Sequence, residues 1–307
     1  MKLHENKTLF QNYIALANQE EDIDEAIVLK DYFVTLTLKG IFSTHHDLVF
    51  IGGTSLSKCF NIIKRFSEDI DVVAVANSRK AKQRTTQDII HELTRNWPWK
   101  TEADNAVHAD FKVMYLHYDI NQKSDLGQRV KLELMTFIEP FPVIEKTVEP
   151  IIAKYLDEDE KDEYDIKPLT VLTQEPFRTF FEKVTLEKEL AKDDMLGQTS
   201  DETQEKRARD FYDIHKIWMY YKKAIPITLE DFNTMLSSRT KHRRKRTIVH
   251  FEEYHQFKLL AMFRAKEIRK QLEDVDYKKL SISDLDCDAI EQSLEEIDAF
   301  FERLISP

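Results

Sequence analysis

Between Phe50 and Val75 the chain reads FIGGTSLSKCFNIIKRFSEDIDVVAV, and no other stretch constrains the fold as much. A short apolar run from Asp47 to Ile51 stops at Gly52-Gly53, as a buried strand stops at the edge of a sheet. The chain has only five glycines in 307 residues, so two placed side by side point to a backbone with a special task. Residues 54–64 then carry Leu56, Cys59, Phe60 and Ile63 at helical spacing. From Asp69 to Val75 the pattern alternates and is rich in valine, which predicts a second strand. Strand, tight turn, helix and strand in succession are the start of an α/β (α+β) unit.

The flanking sequence extends this unit. Residues 1–46 read as helical, and a polar helix is expected over 79–96, closed by Trp97-Pro98. Further strands are predicted at 111–118 and 129–137, joined by a turn in NQKSDLG. Pro140, Pro142 and Pro150 punctuate a connection into the acidic stretch LDEDEKDEYD, and beyond Pro176 the pattern is helical: 177–192, 203–222, 229–238, 250–273 and 286–304. The expected division is a core with a helical N-terminal segment over 1–150, a mixed sheet with flanking helices, followed by a mainly helical C-terminal domain over 151–307.

Charge excludes some classes of function. With 45 basic against 56 acidic residues the net charge is −11, so the chain does not coat nucleic acid with its whole surface. The run Arg239–Arg246 (RTKHRRKR) departs from that balance with six lysines and arginines in eight positions. It reads equally as a solvated loop or as a docking patch for RNA, with Arg243, Arg244, Lys245 and Arg246 the candidate contacts. No apolar run is long enough for a bilayer, and MKLHENKTLF lacks the apolar stretch of a signal peptide. Cys59 and Cys287 are too few for a disulfide framework, so a cytoplasmic setting and no membrane partner are expected.

Each part of the Phe50–Val75 segment has a use in phosphate chemistry. At Gly52 and Gly53 the backbone can approach a phosphate, Thr54 and Ser55 can donate hydroxyls, and Lys58 can add a charge. Asp69 and Asp71, two apart on a strand, direct both carboxylates to one face, where hard oxygen ligands suit Mg²⁺ (or Mn²⁺). RVKLELMTF offers a third acid, Glu133, whose alternative reading is a salt bridge to Lys131 or Lys112. Arg65 either pairs with Glu68 or Asp69 or meets phosphate. The order apolar residue, Gly-Gly, spacer, Asp-x-Asp resembles the polymerase-β-type nucleotidyltransferase signature, with a long spacer of fifteen residues after Gly53.

GGTSLSK followed by RFSEDIDV is similar to the AbiEii/AbiGii family of toxin-like nucleotidyltransferases from abortive-infection and type IV toxin–antitoxin systems. Three further stretches share the resemblance: Lys131-Leu132-Glu133 followed by EPFPV, Arg178–Lys183 (RTFFEK), and Arg209–Ile214 (RDFYDI). The resemblance covers roughly residues 48–220. It implies that Asp69 and Asp71 bind metal, that Ser67 lies beside metal and nucleotide, and that Lys183 contacts nucleotide phosphates. It also implies that Asp213, or alternatively Asp210, is the late acidic residue, so that the C-terminal domain contributes to the site. About thirty residues separate Lys183 from Asp213, more than in many members. Without the resemblance, Lys183 reads as a solvated helix residue, and Asp210 and Asp213 as an ion-pair network with Arg207 and Arg209.

The expected function is metal-dependent transfer of a nucleotide from a nucleoside triphosphate to an acceptor. The resemblance suggests RNA such as the tRNA 3′ end as acceptor, growth inhibition as result, and an antitoxin as partner. Two alternatives stand beside it: a nucleotide-binding regulatory module without transfer, and transfer of phosphate or nucleotide to a protein hydroxyl such as Ser67.

Overall fold

The computed structural model describes residues 1–65, 67, 69–104, 109–119, 128–197, 204–242, 249–273 and 285–305. The chain divides into two compact units, one of Met1–Phe60 with Phe66–Gln174 and one of Asn61–Arg65 with Glu175–Pro307.

In the first unit, residues 1–46, expected to be helical, form α1 (Lys7–Glu21) and α2 (Glu25–Phe42). Asp22 takes a left-handed conformation, and the Asp24 side chain caps α2 by accepting from the Ala26 N–H. Next come β1 (Leu48–Ile51), α3 (Gly52–Lys58), β2 (Asp69–Ala74), α4 (Arg79–Asn96), β3 (Thr101–Ala103), β4 (Phe111–His117) and β5 (Arg129–Met135). Then β6 (Val143–Val148), α5 (Glu158–Glu163) and β7 (Leu169–Gln174) complete the unit. The helix expected over 54–64 ends at Lys58, shortly before Asn61 turns left-handed at φ 52°.

Among the described residues the strands form one mixed sheet, ordered β3-β4-β5-β2-β1-β7-β6. β1 is antiparallel to β2 and parallel to β7, and β2 is parallel to β5. Because side chains alternate, one face carries Leu48, Phe50, Ile70, Val72, Leu132 and Leu134, which pack with Phe10, Phe33, Leu38, Ile89 and Leu93 of the helices. An aromatic group including Phe33 and Tyr118, stacked at 4.1 Å between centroids, anchors that core. Among the described residues the other face carries a smaller apolar cluster of Val49, Ile51, Val73 and Met135 with their neighbours. It is on this face that the acidic residues stand.

β6 lies where the sequence pattern suggested a connection and β7 in a stretch to which it assigned no element, and the first compact unit runs to Gln174. β6 is a sheet edge whose residues are mostly exposed or half-buried, so it shows little of the alternation that marks a strand.

The second unit contains α6 (Pro176–Met195), α7 (Gln204–Tyr220), α8 (Leu229–His242), α9 (Leu259–Ala265), α10 (Ile268–Glu273) and α11 (Cys287–Ile305). Pro176 opens α6 at a position where its missing N–H costs nothing. Phe180, Trp218, Phe232, Tyr254 and Phe301 form its aromatic core. The helix expected over 250–273 is broken instead into a 3₁₀ turn, α9 and α10, with Glu267 left-handed at φ 51°. Arg243, Arg244, Lys245 and Arg246 lie outside the described residues. Among the described residues no helix is long and apolar enough to cross a membrane.

Candidate active site

The parallel register of β2 and β5 sets Asp69 opposite Lys131 and Asp71 opposite Glu133. Residues opposite one another share a face, so three carboxylates and one ammonium stand on the same side of the sheet. On β1 the residue opposite Asp71 is Ile51, and on β4 Val113 and Tyr115 stand opposite Glu133 and Lys131. Lys131 Nζ lies 2.5 Å from Glu133 Oε1 and 3.6 Å from Asp69 Oδ2. Burial raises the Asp71 carboxyl well above the usual carboxylate range, and the charges of Glu133 and Asp69 raise it further against the pull of Lys131.

Three hard oxygen donors with a single cation among them leave an excess of negative charge that a divalent ion would satisfy, so the donor set fits Mg²⁺ or Mn²⁺. Among the described residues no three acidic, histidine or cysteine side chains are already gathered as an ion cage. The salt bridge from Glu133 to Lys131, weighed as the alternative to metal binding, is present in the structure.

Gly52 matters here for a reason other than approach to phosphate. Its φ is 79°, and a Cβ at this position would fall 3.0 Å from Asp71 Cγ. The missing side chain therefore makes room for the Asp71 carboxylate. Thr54 donates its hydroxyl to the Asp69 carbonyl and lies 3.0 Å from Ser67 Oγ, which ties α3 to the start of β2. Ser55 donates to the Gly52 carbonyl at 2.8 Å. Both side chains are buried, so their hydroxyls brace the loop instead of lining an open cradle. Lys58 has likewise found protein partners: Asp31 Oδ1 at 2.5 Å and the Glu149 carbonyl at 3.2 Å.

The second unit holds its own cluster. Arg65 grips Asp213 with two parallel hydrogen bonds, Nε to Oδ1 at 2.7 Å and Nη2 to Oδ2 at 2.6 Å. Lys183, on α6, donates to Asp210 and stands 3.1 Å from Asp213 Oδ2. The three-residue spacing on α7 brings Asp210 and Asp213 to one side of the helix, so both reach the same ammonium. Burial opposes the charge of Asp213, yet Arg65 and Lys183 hold its carboxyl below its ordinary range. Asp210 and Asp213 in turn hold the Lys183 ammonium above its own against the cost of burial.

Sequence reasoning did not find Arg65 as the partner of Asp213, and no local signal joins residues 148 apart. It also missed Glu187, one helical turn beyond Lys183, where Arg207 Nε donates at 2.9 Å. Burial nevertheless pushes the Glu187 carboxyl up to about 8.

A family model described as nucleotidyl transferase AbiEii toxin, Type IV TA system, matches residues 38–303. The match runs well beyond residue 220, through helices that carry no recognisable motif. A search of curated proteins finds no match.

Proposed function

The chain belongs to the AbiEii nucleotidyl transferase family, and we propose that it moves a nucleotide from a nucleoside triphosphate to RNA, with the tRNA 3′ end as the favoured acceptor. Growth inhibition is the proposed result and an antitoxin the proposed partner. The observation that carries the reading is the β2–β5 register, which aligns Asp71 with Glu133 on the face that also bears Asp69.

Asp69, Asp71 and Glu133 are the residues that would hold Mg²⁺ or Mn²⁺. Bound there, a divalent ion supplies positive charge to the triphosphate and to the attacking and leaving oxygens. The chain's own part is to keep this face charged and ordered. Gly52 admits the Asp71 carboxylate, and Thr54 fixes the backbone beside Asp69 and Ser67. The nucleotide-binding assignment of Gly52 and Gly53 rests on the sequence pattern of a strand ending at a glycine pair, and those of Ser67 and Lys183 rest on the sequence resemblance. In that role Asp210 and Asp213 keep Lys183 protonated, because separating it from two carboxylates costs more than the burial of its charge.

Incubation of the purified protein with Mg²⁺, each α-labelled ribonucleoside triphosphate in turn and total RNA tests the proposal. Label is expected on RNA. Label on the protein would replace RNA with a protein hydroxyl as nucleotide acceptor, and label on neither, with none on the protein from γ-labelled nucleotide either, would reduce the chain to a nucleotide-binding module.

A further inference from the structure

Lys131 sits among the acids of the proposed metal site, and nothing in the reaction outlined above gives it a task. Its position is set by the sheet: on β5 it precedes Glu133 by two residues and so shares its face, and across β2 it faces Asp69. Its side chain is about one-third exposed, so solvent reaches the ion pairs that it makes. Beyond it on the same strand Arg129 lies 4.4 Å over the Tyr115 ring, which leaves Lys131 as the cation nearest the carboxylates on that strand.

We propose that Lys131 is the resident counter-ion of the carboxylate cluster, that the divalent cation displaces it, and that the freed ammonium then binds the triphosphate. The inference rests on the proposed metal-dependent reading of Asp69, Asp71 and Glu133. Charge supplies the argument. With all three carboxylates ionised, as ligation of a divalent ion requires, the cluster and its one ammonium carry two excess negative charges, the charge of that ion. A divalent ion and an ammonium held within a few ångströms of the same oxygens repel each other, so the two compete for the cluster. A triphosphate brought to the metal offers the displaced ammonium a new anion on the side from which the metal arrived. The lysine therefore opposes metal binding to the empty protein and favours nucleotide binding to the loaded one.

These opposite signs distinguish the proposal from a merely structural role, in which loss of Lys131 would weaken both ligands together. The test compares wild type, Lys131→Gln and Lys131→Arg. Mn²⁺ alone is titrated against each full-length protein and followed by the electron-spin signal of free Mn²⁺. KM is then measured at saturating metal with the nucleoside triphosphate identified by labelling.

The expected result for Lys131→Gln is Mn²⁺ affinity tighter by about tenfold and a KM higher by about as much. Lys131→Arg retains wild-type metal affinity. Mn²⁺ affinity unchanged or weaker in Lys131→Gln overturns the proposal. If Lys131→Gln does not fold, the lysine ammonium ¹H–¹⁵N spectrum of the wild type decides: the Lys131 signal, assigned through Lys131→Arg, must shift or vanish as Mg²⁺ saturates the site. A signal unmoved at saturation overturns the proposal. Wild type that binds no Mn²⁺ at all is a different failure, which removes the metal-dependent reading itself.

Discussion

Gly52 keeps open the space that the Asp71 carboxyl group occupies, for a Cβ there would lie 3.0 Å from Asp71 Cγ and nearer still to one of its oxygens. Gly52→Ala therefore meets a left-handed backbone and a clash at once. It should cost about 2 kcal/mol or more in stability and abolish transfer. Urea unfolding of the metal-free protein is the check; a variant as stable as wild type would overturn this account of the glycine.

Asp71→Asn should behave in the opposite way. Burial and the neighbouring acids already disfavour the Asp71 charge, so its removal leaves the metal-free protein as stable as wild type or more so. Transfer should fall by about a hundredfold or more through loss of a ligand for the metal. A thermal melt and a label-transfer assay on the same preparation test both halves.

Arg65 and Lys183 separate structure from chemistry in the second unit. Either cation replaced by alanine leaves Asp213 under-compensated, at a cost of about 3 kcal/mol. Only Lys183→Ala should also lower turnover per folded molecule by more than about tenfold, or about 1.4 kcal/mol. Equal loss of turnover in Arg65→Ala would give the guanidinium a catalytic share that its pairing with Asp213 does not suggest.

Acid should weaken both units. His4, with Nδ1 2.9 Å from the Tyr32 hydroxyl, and His215, with Nδ1 2.8 Å from Ser293 Oγ, are each pulled down to about 4, mainly by burial. An unfolded histidine titrates near 6.5, so between these values the unfolded chain binds more protons than the native one. The stabilisation is complete above pH 6.5 and is lost as pH falls toward 4, by about 2–3 kcal/mol for each residue. Urea midpoints at pH 7, 6 and 5 should decline in wild type and decline less in His4→Gln and His215→Gln.

For the basic run, neutralising Arg243, Arg244, Lys245 and Arg246 together should weaken RNA binding and spare nucleotide binding. On a single strand, the log–log salt dependence should flatten by roughly 0.7 for each phosphate that no longer meets a cation. Parallel slopes for wild type and the quadruple variant would make the run a solvated loop.

How much of this was legible in the sequence depended on distance along the chain. The glycine pair, the Asp69/Asp71 spacing and Glu133 could be read because strand alternation and glycine rarity are local signals. The β7 strand could not, since its partner β1 lies more than a hundred residues earlier, with Phe50 opposite Thr173. Lys58 was read as a phosphate donor because its partner Asp31 belongs to a helix with no visible link to it. The break at Glu267 has neither glycine nor proline to announce it, although the residue is left-handed. About thirty residues separate Lys183 from Asp213 along the chain, yet in the structure Asp210 and Asp213 of α7 both meet that lysine.

Five residues, Asn61–Arg65, belong to the helical unit although they are synthesised in the midst of the sheet unit. During translation Arg65 leaves the ribosome 148 residues ahead of the carboxylate that will hold it. A messenger cut after codon 174 would encode every strand of the sheet together with an arginine that has lost its Asp213. A cut there divides the chain between its units in sequence but not in space, because the helical unit would lack the residue that grips Asp213.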